Sequence, residues 1–148
     1  MTDVRSVPSR ASFAQMLRVP FSMCDPAGIV FFVQYHLLFQ NLVESWVTER
    51  LGVEYSELLG PRRVGLPTVR LETDFRAISR MGDRISVSLR VEHVGTKSLV
   101  LLLAVHGDDG QLRVEARQVI VCTSLETHRA QPFPDDLRTA LLRFCATP

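Results

Sequence analysis

The sequence of 148 residues predicts an α+β domain in which one long helix packs across an antiparallel sheet of five strands. Apolar residues recur every three or four positions from about residue 30 to residue 51, as they do along one side of a helix. After Pro61 they alternate with polar residues instead, which is typical of strands with one buried face. The length suits one domain, so we expect a single unit with a loose N-terminal arm over residues 1–12.

The helices are predicted from apolar spacing and from the residues that end them. The long helix spans Val30–Leu51, and Gly52 follows it with the left-handed conformation that often ends helices. At about 1.5 Å per residue this helix is about 30 Å long, which is enough to cross a sheet. Two shorter helices are expected at Ser56–Leu59 and Asp135–Phe144.

Five strands are expected around this helix. The first spans Phe13–Phe21, and the segments TVRLETDFRAI and RISVSLRVEHV alternate strictly. The strands Lys97–His106 and Gln111–Ser124 are joined by GDDG, a strong hairpin signal. We expect the four strands after the helix to form a meander, with RMGD as the turn between the first two. The run LVLLLAV does not alternate, which predicts a strand covered on both faces and therefore an oligomer.

Composition narrows the class of protein. A net charge of +1 gives no sign of a nucleic-acid partner. The three cysteines, Cys24, Cys122 and Cys145, are widely spaced, which argues against a disulfide framework or a zinc site and favours a reducing compartment. The longest apolar runs are too short to span a bilayer. We therefore expect a cytoplasmic protein without a metal, a nucleic-acid partner or a membrane segment.

The segment MCDPAGIVFF contains Asp25, the only carboxylate between Asp3 and Glu44. An Asp-Pro pair usually forms a turn, and an aspartate before a helix is usually its N-cap. The start of a helix also has unpaired N–H groups and a partial positive charge, which stabilise a carboxylate or a developing oxyanion. The residues alone leave both a structural and a chemical role open for Asp25.

Four motifs in order over residues 15–140 resemble those of hotdog-fold acyl-CoA thioesterases, and most of all the 4-hydroxybenzoyl-CoA thioesterase branch. They are CDPAGIVFFVQYH, VGLPTV, GTKS and THRAQPFPDDL. The first is specific, whereas the others are informative mainly because of their order. The resemblance implies a hotdog fold and hydrolysis of an aromatic or medium-sized acyl-CoA to the free acid and CoA. It also implies no cofactor besides the CoA thioester itself, and a homodimer or homotetramer with a site between subunits.

The resemblance also implies roles for individual residues. Asp25 is the catalytic carboxylate, as nucleophile or general base, and the backbone N–H near Phe32 polarises the thioester carbonyl. Phe31 and Tyr35 contact the acyl group. Gln40 lies where the 4-hydroxybenzoyl enzymes carry an acid, and its neutral amide makes a 4-hydroxyl substrate a weaker expectation.

Coenzyme A is expected to bind at the start of the fourth strand and after the fifth. Lys97 and Ser98 match the first of these family positions and Arg129 matches the second. Cations suit the phosphates of CoA, and a serine hydroxyl suits its pantetheine arm. An ordinary surface role is an equal alternative for each of these residues taken singly.

Two neighbours of Asp25 are given no chemical role. His36 is predicted to be a hydrogen-bonded packing residue, and Cys24 a small buried residue without a base beside it. A non-catalytic acyl-CoA-binding or scaffold protein, with Asp25 as a cap, is the alternative to a thioesterase. A hotdog dehydratase or hydratase is disfavoured because no histidine lies in the motif that such enzymes use.

Overall fold

The computed structural model describes residues 11–147. Within them, an antiparallel sheet of five strands packs against one long helix, α1 (Phe32–Glu49), and two shorter helices are present, α2 (Tyr55–Leu59) and α3 (Asp135–Ala146). The predicted α+β class is confirmed. In chain order the strands are β1 (Ser12–Arg18), β2 (Val64–Gly65), β3 (Thr68–Phe75), β4 (Arg84–Val94), β5 (Ser98–Gly107), β6 (Leu112–Val121) and β7 (Thr123–Ser124).

The five-stranded sheet has the order β1-β4-β5-β6-β3, and every neighbouring pair is antiparallel. Strands β4, β5 and β6 form a meander, and GDDG closes the β5–β6 hairpin as predicted. The prediction that all four later strands meander was wrong, because β3 lies at the far edge beside β6. Alternation along a strand defines its two faces but not its neighbours. The RMGD segment therefore belongs to a crossover connection, residues 76–83.

Helix α1 begins two residues after the predicted start and ends two before the predicted end. The N–H of Val30 donates to the carbonyl of Ser79 at 2.9 Å, so this residue is extended rather than helical. At the other end Gly52 has a φ of 71°, and the N–H of Val53 turns back to the carbonyl of Val47 at 3.2 Å. Gly52 follows the helix end as predicted.

Two predicted strands are shorter in the structure. The first ends at Arg18 rather than Phe21, because Pro20 has no N–H for a ladder and residues 21–23 form a single 3-10 turn. The predicted strand Gln111–Ser124 is two strands, since the N–H of Cys122 turns to the carbonyl of Lys97 at 2.7 Å. The two residues after this break form β7, which pairs with β2.

The predicted N-terminal arm, residues 1–12, lies mostly outside the described residues. Its last two residues contradict the prediction. Ala11 is buried, and Ser12 begins β1, where it pairs with Arg90 of β4. The ordered domain therefore includes at least these two residues of the expected arm.

The core lies between α1 and the face of the sheet that it covers, which we call the inner face. Trp46 is fully buried, and its ring packs edge-on against Phe144 of α3 with centroids 5.3 Å apart. The buried side chains of α1 join one apolar cluster with alternate residues of the strands. These α1 residues are Tyr35, Phe39, Leu42, Val43, Trp46 and Val47.

The outer face of β5 is only partly covered. Leu102 and Ala104 are half-buried there, while their neighbours Leu101, Leu103 and Val105 are buried on the inner face. The prediction that β5 is covered on both faces is therefore met on the inner face, which α1 covers. No second layer lies over the outer face among residues 11–147, and cover by a partner subunit stays a prediction.

A surface ion pair joins the segment after α2 to the start of α3. Arg62 donates two hydrogen bonds to the carboxylate of Asp136, at 2.8 and 2.7 Å. The guanidinium of Arg62 holds the pKa of Asp136 below its ordinary value. A carboxyl whose pKa is lowered by folding stabilises the fold above its unfolded pKa, and that stabilisation is lost as the pH falls through the folded value.

We expect Asp136→Asn to lower the free energy of unfolding by about 0.5 kcal/mol at neutral pH, because a half-exposed pair contributes little. The difference should shrink as the pH falls through the lowered folded pKa of Asp136 and disappear below it, since both proteins then carry a neutral group there. Urea unfolding at the two pH values measures the effect. Asp135→Asn is the control, because Asp135 lies in the same first turn of α3. An equal loss in both variants would assign the effect to the helix dipole rather than to Arg62.

Candidate active site

Asp25 lies in a tight turn immediately before α1. Its N–H donates to the carbonyl of Ile29 at 3.0 Å, and its own carbonyl accepts from Gly28 at 2.9 Å. The side-chain Oδ1 accepts from the N–H of Ala27 at 2.9 Å, which is an Asx turn. Gly28 has a φ of 76°, a conformation that glycine adopts without strain. The turn is thus closed on itself and presents a half-buried carboxylate.

The structure corrects one structural alternative for Asp25. The N-cap of α1 is Phe31, and no side chain caps that helix end. Asp25 is therefore not a helix cap, because the extended residues 29–31 separate its turn from the helix. The N–H of Phe32, the first helical residue, donates to no other residue within 11–147. This N–H is available to a carbonyl oxygen of a bound molecule.

An aromatic cluster surrounds the start of α1. The ring of Phe32 lies 5.1 Å from that of Phe31 and 6.0 Å from that of Phe75 on β3. Tyr35 and His36 also contact Phe75, with centroids 6.0 and 6.3 Å away. Phe31, Phe32 and Phe75 are each about half-exposed, whereas Tyr35 is almost fully buried. The first three rings therefore form an open apolar surface at the helix start that follows the Asp25 turn, and Tyr35 supports it from the core.

Sequence reasoning missed Phe75. The alternation of β3 placed it on the same face as Val69 and Leu71, but nothing in the pattern connected that face with α1. His36 was predicted to be a packing residue, and its ring nitrogen lies 3.2 Å from the hydroxyl of Thr73. It joins α1 to β3 at the base of the cluster.

Gln40 lies two turns beyond Phe32 on α1 and is exposed. Its amide Nε2 donates to the hydroxyl oxygen of Tyr55 at 3.4 Å. Burial raises the pKa of the Tyr55 hydroxyl, and the hydrogen bond from Gln40 opposes this shift. The pair is therefore neutral and offers hydrogen-bonding groups without a formal charge. Sequence reasoning missed Tyr55, which reaches α1 from the next helix.

The residues predicted to bind CoA lie together. Lys97 directly precedes β5, which begins at Ser98, and its carbonyl accepts from the N–H of Cys122. The carbonyl of Arg129 accepts from the N–H of Ser124 at 3.0 Å, so the loop after β7 folds back beside β7, two residues beyond the Cys122 that contacts Lys97. Lys97 and Arg129 are exposed, and neither forms an ion pair with a residue in the described part of the chain.

This group does not lie near Asp25 of the same chain. The turn of Asp25 is attached through residues 79–81 to the first end of β4, whereas Lys97 lies next to the last end of β4. Strand β4 has 11 residues, and at about 3.3 Å per residue it is about 35 Å long. One protomer therefore places the predicted carboxylate and the predicted CoA-binding residues at opposite ends of its sheet.

The cysteines show no catalytic environment. Cys24 lies beside Asp25, but the partner of its Sγ is the carbonyl of Pro20 at 3.5 Å rather than a base. Burial raises the pKa of the Cys122 thiol and of the Cys145 thiol, which disfavours the reactive thiolate. Within residues 11–147, no group of three or more histidine, cysteine or acidic side chains is placed to hold a metal ion. No helix there is both long and apolar enough to cross a bilayer.

The fold, a long helix partly enclosed by an antiparallel sheet, is the hotdog fold. The model of the thioesterase-like superfamily matches residues 19–141, and the chain belongs to that superfamily. The predicted resemblance to hotdog thioesterases is therefore confirmed.

Individual relatives agree with this assignment. A 1,4-dihydroxy-2-naphthoyl-CoA hydrolase of Synechocystis sp. is 26% identical over 132 residues, which cover 88% of this chain and 94% of the relative. The structure of a gentisyl-coenzyme A thioesterase has a TM-score of 0.76 and 25% identity, over 85% of this chain and 99% of that one. A 4-hydroxybenzoyl CoA thioesterase variant, solved with 4-hydroxybenzoyl CoA, has a TM-score of 0.79 and 22% identity, over 92% and 99% of the two chains.

Proposed function

We propose that this chain hydrolyses an aromatic acyl-CoA thioester to the free acid and CoA, with Asp25 as general base or nucleophile. The observation that carries the proposal is the position of Asp25. Its carboxylate lies in a hydrogen-bonded turn just before the start of α1, where the N–H of Phe32 is unpaired within residues 11–147 and three phenylalanine rings are half-exposed. A carboxylate, an oxyanion site and an apolar surface are the parts that acyl transfer requires.

The chemistry follows from these groups. As general base, Asp25 takes a proton from water while the water oxygen attacks the thioester carbon. As nucleophile, its own oxygen attacks that carbon, and water then hydrolyses the anhydride. On either route the negative charge that develops on the carbonyl oxygen is stabilised by the N–H of Phe32, and the C–S bond breaks to release CoA thiolate.

The relatives support an aromatic acyl group. The names of the Synechocystis hydrolase and of the gentisyl-CoA enzyme both specify aromatic acyl groups. In this chain the rings of Phe31, Phe32 and Phe75 offer an apolar surface on which such a group can stack. The neutral pair of Gln40 and Tyr55 suits an uncharged polar substituent better than an anion.

We further propose that the working unit is a dimer formed through β3. No strand within residues 11–147 pairs with the outer edge of β3, and three of its side chains, Val69, Leu71 and Phe75, are exposed apolar groups. Exposed fractions are 60% for Val69 and 40% for Leu71, and Leu37 of α1 is 53% exposed. A strand with a free edge and exposed apolar side chains can pair with another strand. A second copy supplies a strand with the same properties.

Antiparallel pairing of two β3 strands brings the two halves of the site together. A two-fold axis through the middle of this edge reverses the partner, so the β5 start of one chain comes to the same end as Asp25 of the other. Phe75 and the partner's β5 are then separated by three strand spacings, or about 14 Å. The extended CoA molecule spans such a distance. Lys97, Ser98 and Arg129 of the partner subunit then bind the CoA whose thioester lies at Asp25.

A panel of acyl-CoAs with a thiol reagent tests the activity. We expect CoA release from aromatic substrates with a kcat/KM at least about fivefold above that for acetyl-CoA, because stacking on the phenylalanines contributes about 1 kcal/mol or more. Phe75→Ala should reduce this preference. The control Leu142→Ala removes an equally exposed apolar side chain on α3 and should leave the preference unchanged. Tight acyl-CoA binding without thiol release would instead indicate a binding or scaffold protein.

A further inference from the structure

Arg113 on β6 is an enclosed arginine outside the aromatic cluster. Its side chain is only 11% exposed, which is unusual for a guanidinium group. Its Nη1 donates to the carbonyl of Ile78 at 2.7 Å and to the carboxylate of Asp83 at 3.3 Å. Its Nη2 lies 3.5 Å from the carboxylate of Asp109. The guanidinium therefore binds the crossover connection between β3 and β4 at two points.

The crossover is further fixed around this guanidinium. The carboxylate of Asp83 also accepts from the N–H of Arg80 at 2.8 Å. At its start, the N–H groups of Arg76 and Ala77 both donate to the backbone carbonyl of Arg113, at 2.8 and 3.0 Å. Both ends of residues 76–83 are thus held by Arg113, directly or through Asp83.

The same crossover holds the turn that carries Asp25. The N–H of Val30 donates to the carbonyl of Ser79 at 2.9 Å, and the N–H of Met81 donates to the carbonyl of Gly28 at 3.0 Å. Ile29 and Arg80 lie opposite each other in a β-bridge. Within the turn, the N–H of Asp25 donates to the carbonyl of Ile29. A continuous series of hydrogen bonds therefore leads from the guanidinium to the backbone of Asp25.

We infer that Arg113 is a positioning residue for the reaction, and that it acts with Asp83 by fixing the crossover on which the Asp25 turn rests. The inference depends on the proposed function, since it takes Asp25 as the reacting carboxylate. A buried charge with several hydrogen bonds has one preferred geometry. The crossover is therefore held in one position, and so is the Asp25 turn that is bonded to it. Displacement of a reacting group by about 1 Å costs about a hundredfold in rate.

Gly107 provides an independent way to disturb this arrangement. It lies at the end of β5 under the guanidinium, and a Cβ there would overlap Nη2 of Arg113 and approach Asp109 to 2.7 Å. The backbone of Gly107 is not left-handed, so alanine fits its conformation. Gly107→Ala therefore shifts the guanidinium without removing its charge.

The experiment compares Arg113→Met and Gly107→Ala with the wild-type protein, using the best aromatic acyl-CoA of the panel. We expect Arg113→Met to lower kcat by roughly 10- to 100-fold while KM changes by less than about threefold, because the turn is displaced but the acyl and CoA contacts remain. Gly107→Ala should lower kcat in the same direction by a smaller factor. Arg117→Met is the control, because Arg117 lies on the same face of β6 and, among residues 11–147, forms its ion pair with Glu92 rather than with the crossover. Its kcat should be unchanged.

Double variants separate positioning from general damage. In an Asp25→Asn background, Arg113→Met should leave the residual rate unchanged, because there is no carboxylate left to position. A kcat within twofold of wild type in both Arg113→Met and Gly107→Ala would overturn the inference. The inference would also be overturned if Arg113→Met lowered the rate by the same factor in the Asp25→Asn background as in the wild-type protein. Failure of the proposed function is a different result, namely an Asp25→Asn variant that keeps its activity. If Arg113→Met does not fold, Gly107→Ala decides alone.

Discussion

Asp25→Asn is expected to lower kcat by about three orders of magnitude while the fold and KM stay nearly unchanged. Asparagine keeps an oxygen that can accept the hydrogen bond now made by the N–H of Ala27, so the turn before α1 is preserved. What is lost is the negative charge and the basic oxygen. An amide neither takes a proton from water nor attacks a thioester at a useful rate.

Steady-state kinetics and thermal unfolding measure the two halves of this prediction. Asp108→Asn is a matched control, because it removes a carboxylate from another exposed turn, at the tip of the β5–β6 hairpin. We expect its kcat and its unfolding midpoint to equal those of the wild type. A variant Asp25→Asn that retained more than about a tenth of the wild-type kcat would show that another group activates the nucleophile.

Mixing two inactive variants is expected to restore activity. In the proposed dimer, Asp25 of one chain works with Lys97 and Arg129 of the other. Asp25→Asn is one variant, and the double variant Lys97→Ala with Arg129→Ala is the other. The second should lose about a hundredfold in kcat/KM, since each charge-assisted contact to a phosphate contributes about 1.5 kcal/mol or more.

In a mixed dimer of these variants, one site combines the intact Asp25 of one chain with the intact Lys97 and Arg129 of the other. The second site lacks all three residues. If the chains exchange at random, half of the dimers are mixed, and kcat/KM should recover to about a quarter of the wild-type value. Refolding or coexpression of equal amounts, followed by an assay at low substrate, measures this recovery. Activity no higher than the average of the two parents would place Asp25 and the CoA contacts in one chain. Wild-type chains taken through the same mixing procedure give the reference value of kcat/KM.

Much of the fold follows from sequence periodicity. The apolar spacing of α1 predicted the helix and its buried side, and GDDG predicted the β5–β6 hairpin. The position of β3 did not follow, because alternation specifies which side chains are buried but not which strand lies alongside. The end of β6 was also missed, since Cys122 leaves the ladder for a contact with Lys97 that the local sequence does not indicate.

The candidate site also contains residues that the sequence identified and residues that it did not. Asp25 and Phe32 were found because both lie in one short motif, and the family resemblance implied their roles. Phe75 reaches the start of α1 and Tyr55 reaches Gln40 from segments that lie 15 or more residues further along the chain, so no spacing rule connects them with the motif. The sequence did not identify Arg113 for a further reason. A charged residue on a predicted strand is indistinguishable from an ordinary surface residue until its burial is known.

The place of Phe75 has a consequence for how this protein changes during evolution. In the proposed function Phe75 forms part of the surface that contacts the acyl group, and it belongs to the strand whose free edge is the proposed dimer contact. A substitution that reshapes the acyl pocket from this strand therefore also alters the association of subunits. New substrate preferences should arise more readily through Phe31 or Gln40 on the α1 side, where no edge pairing has to be preserved.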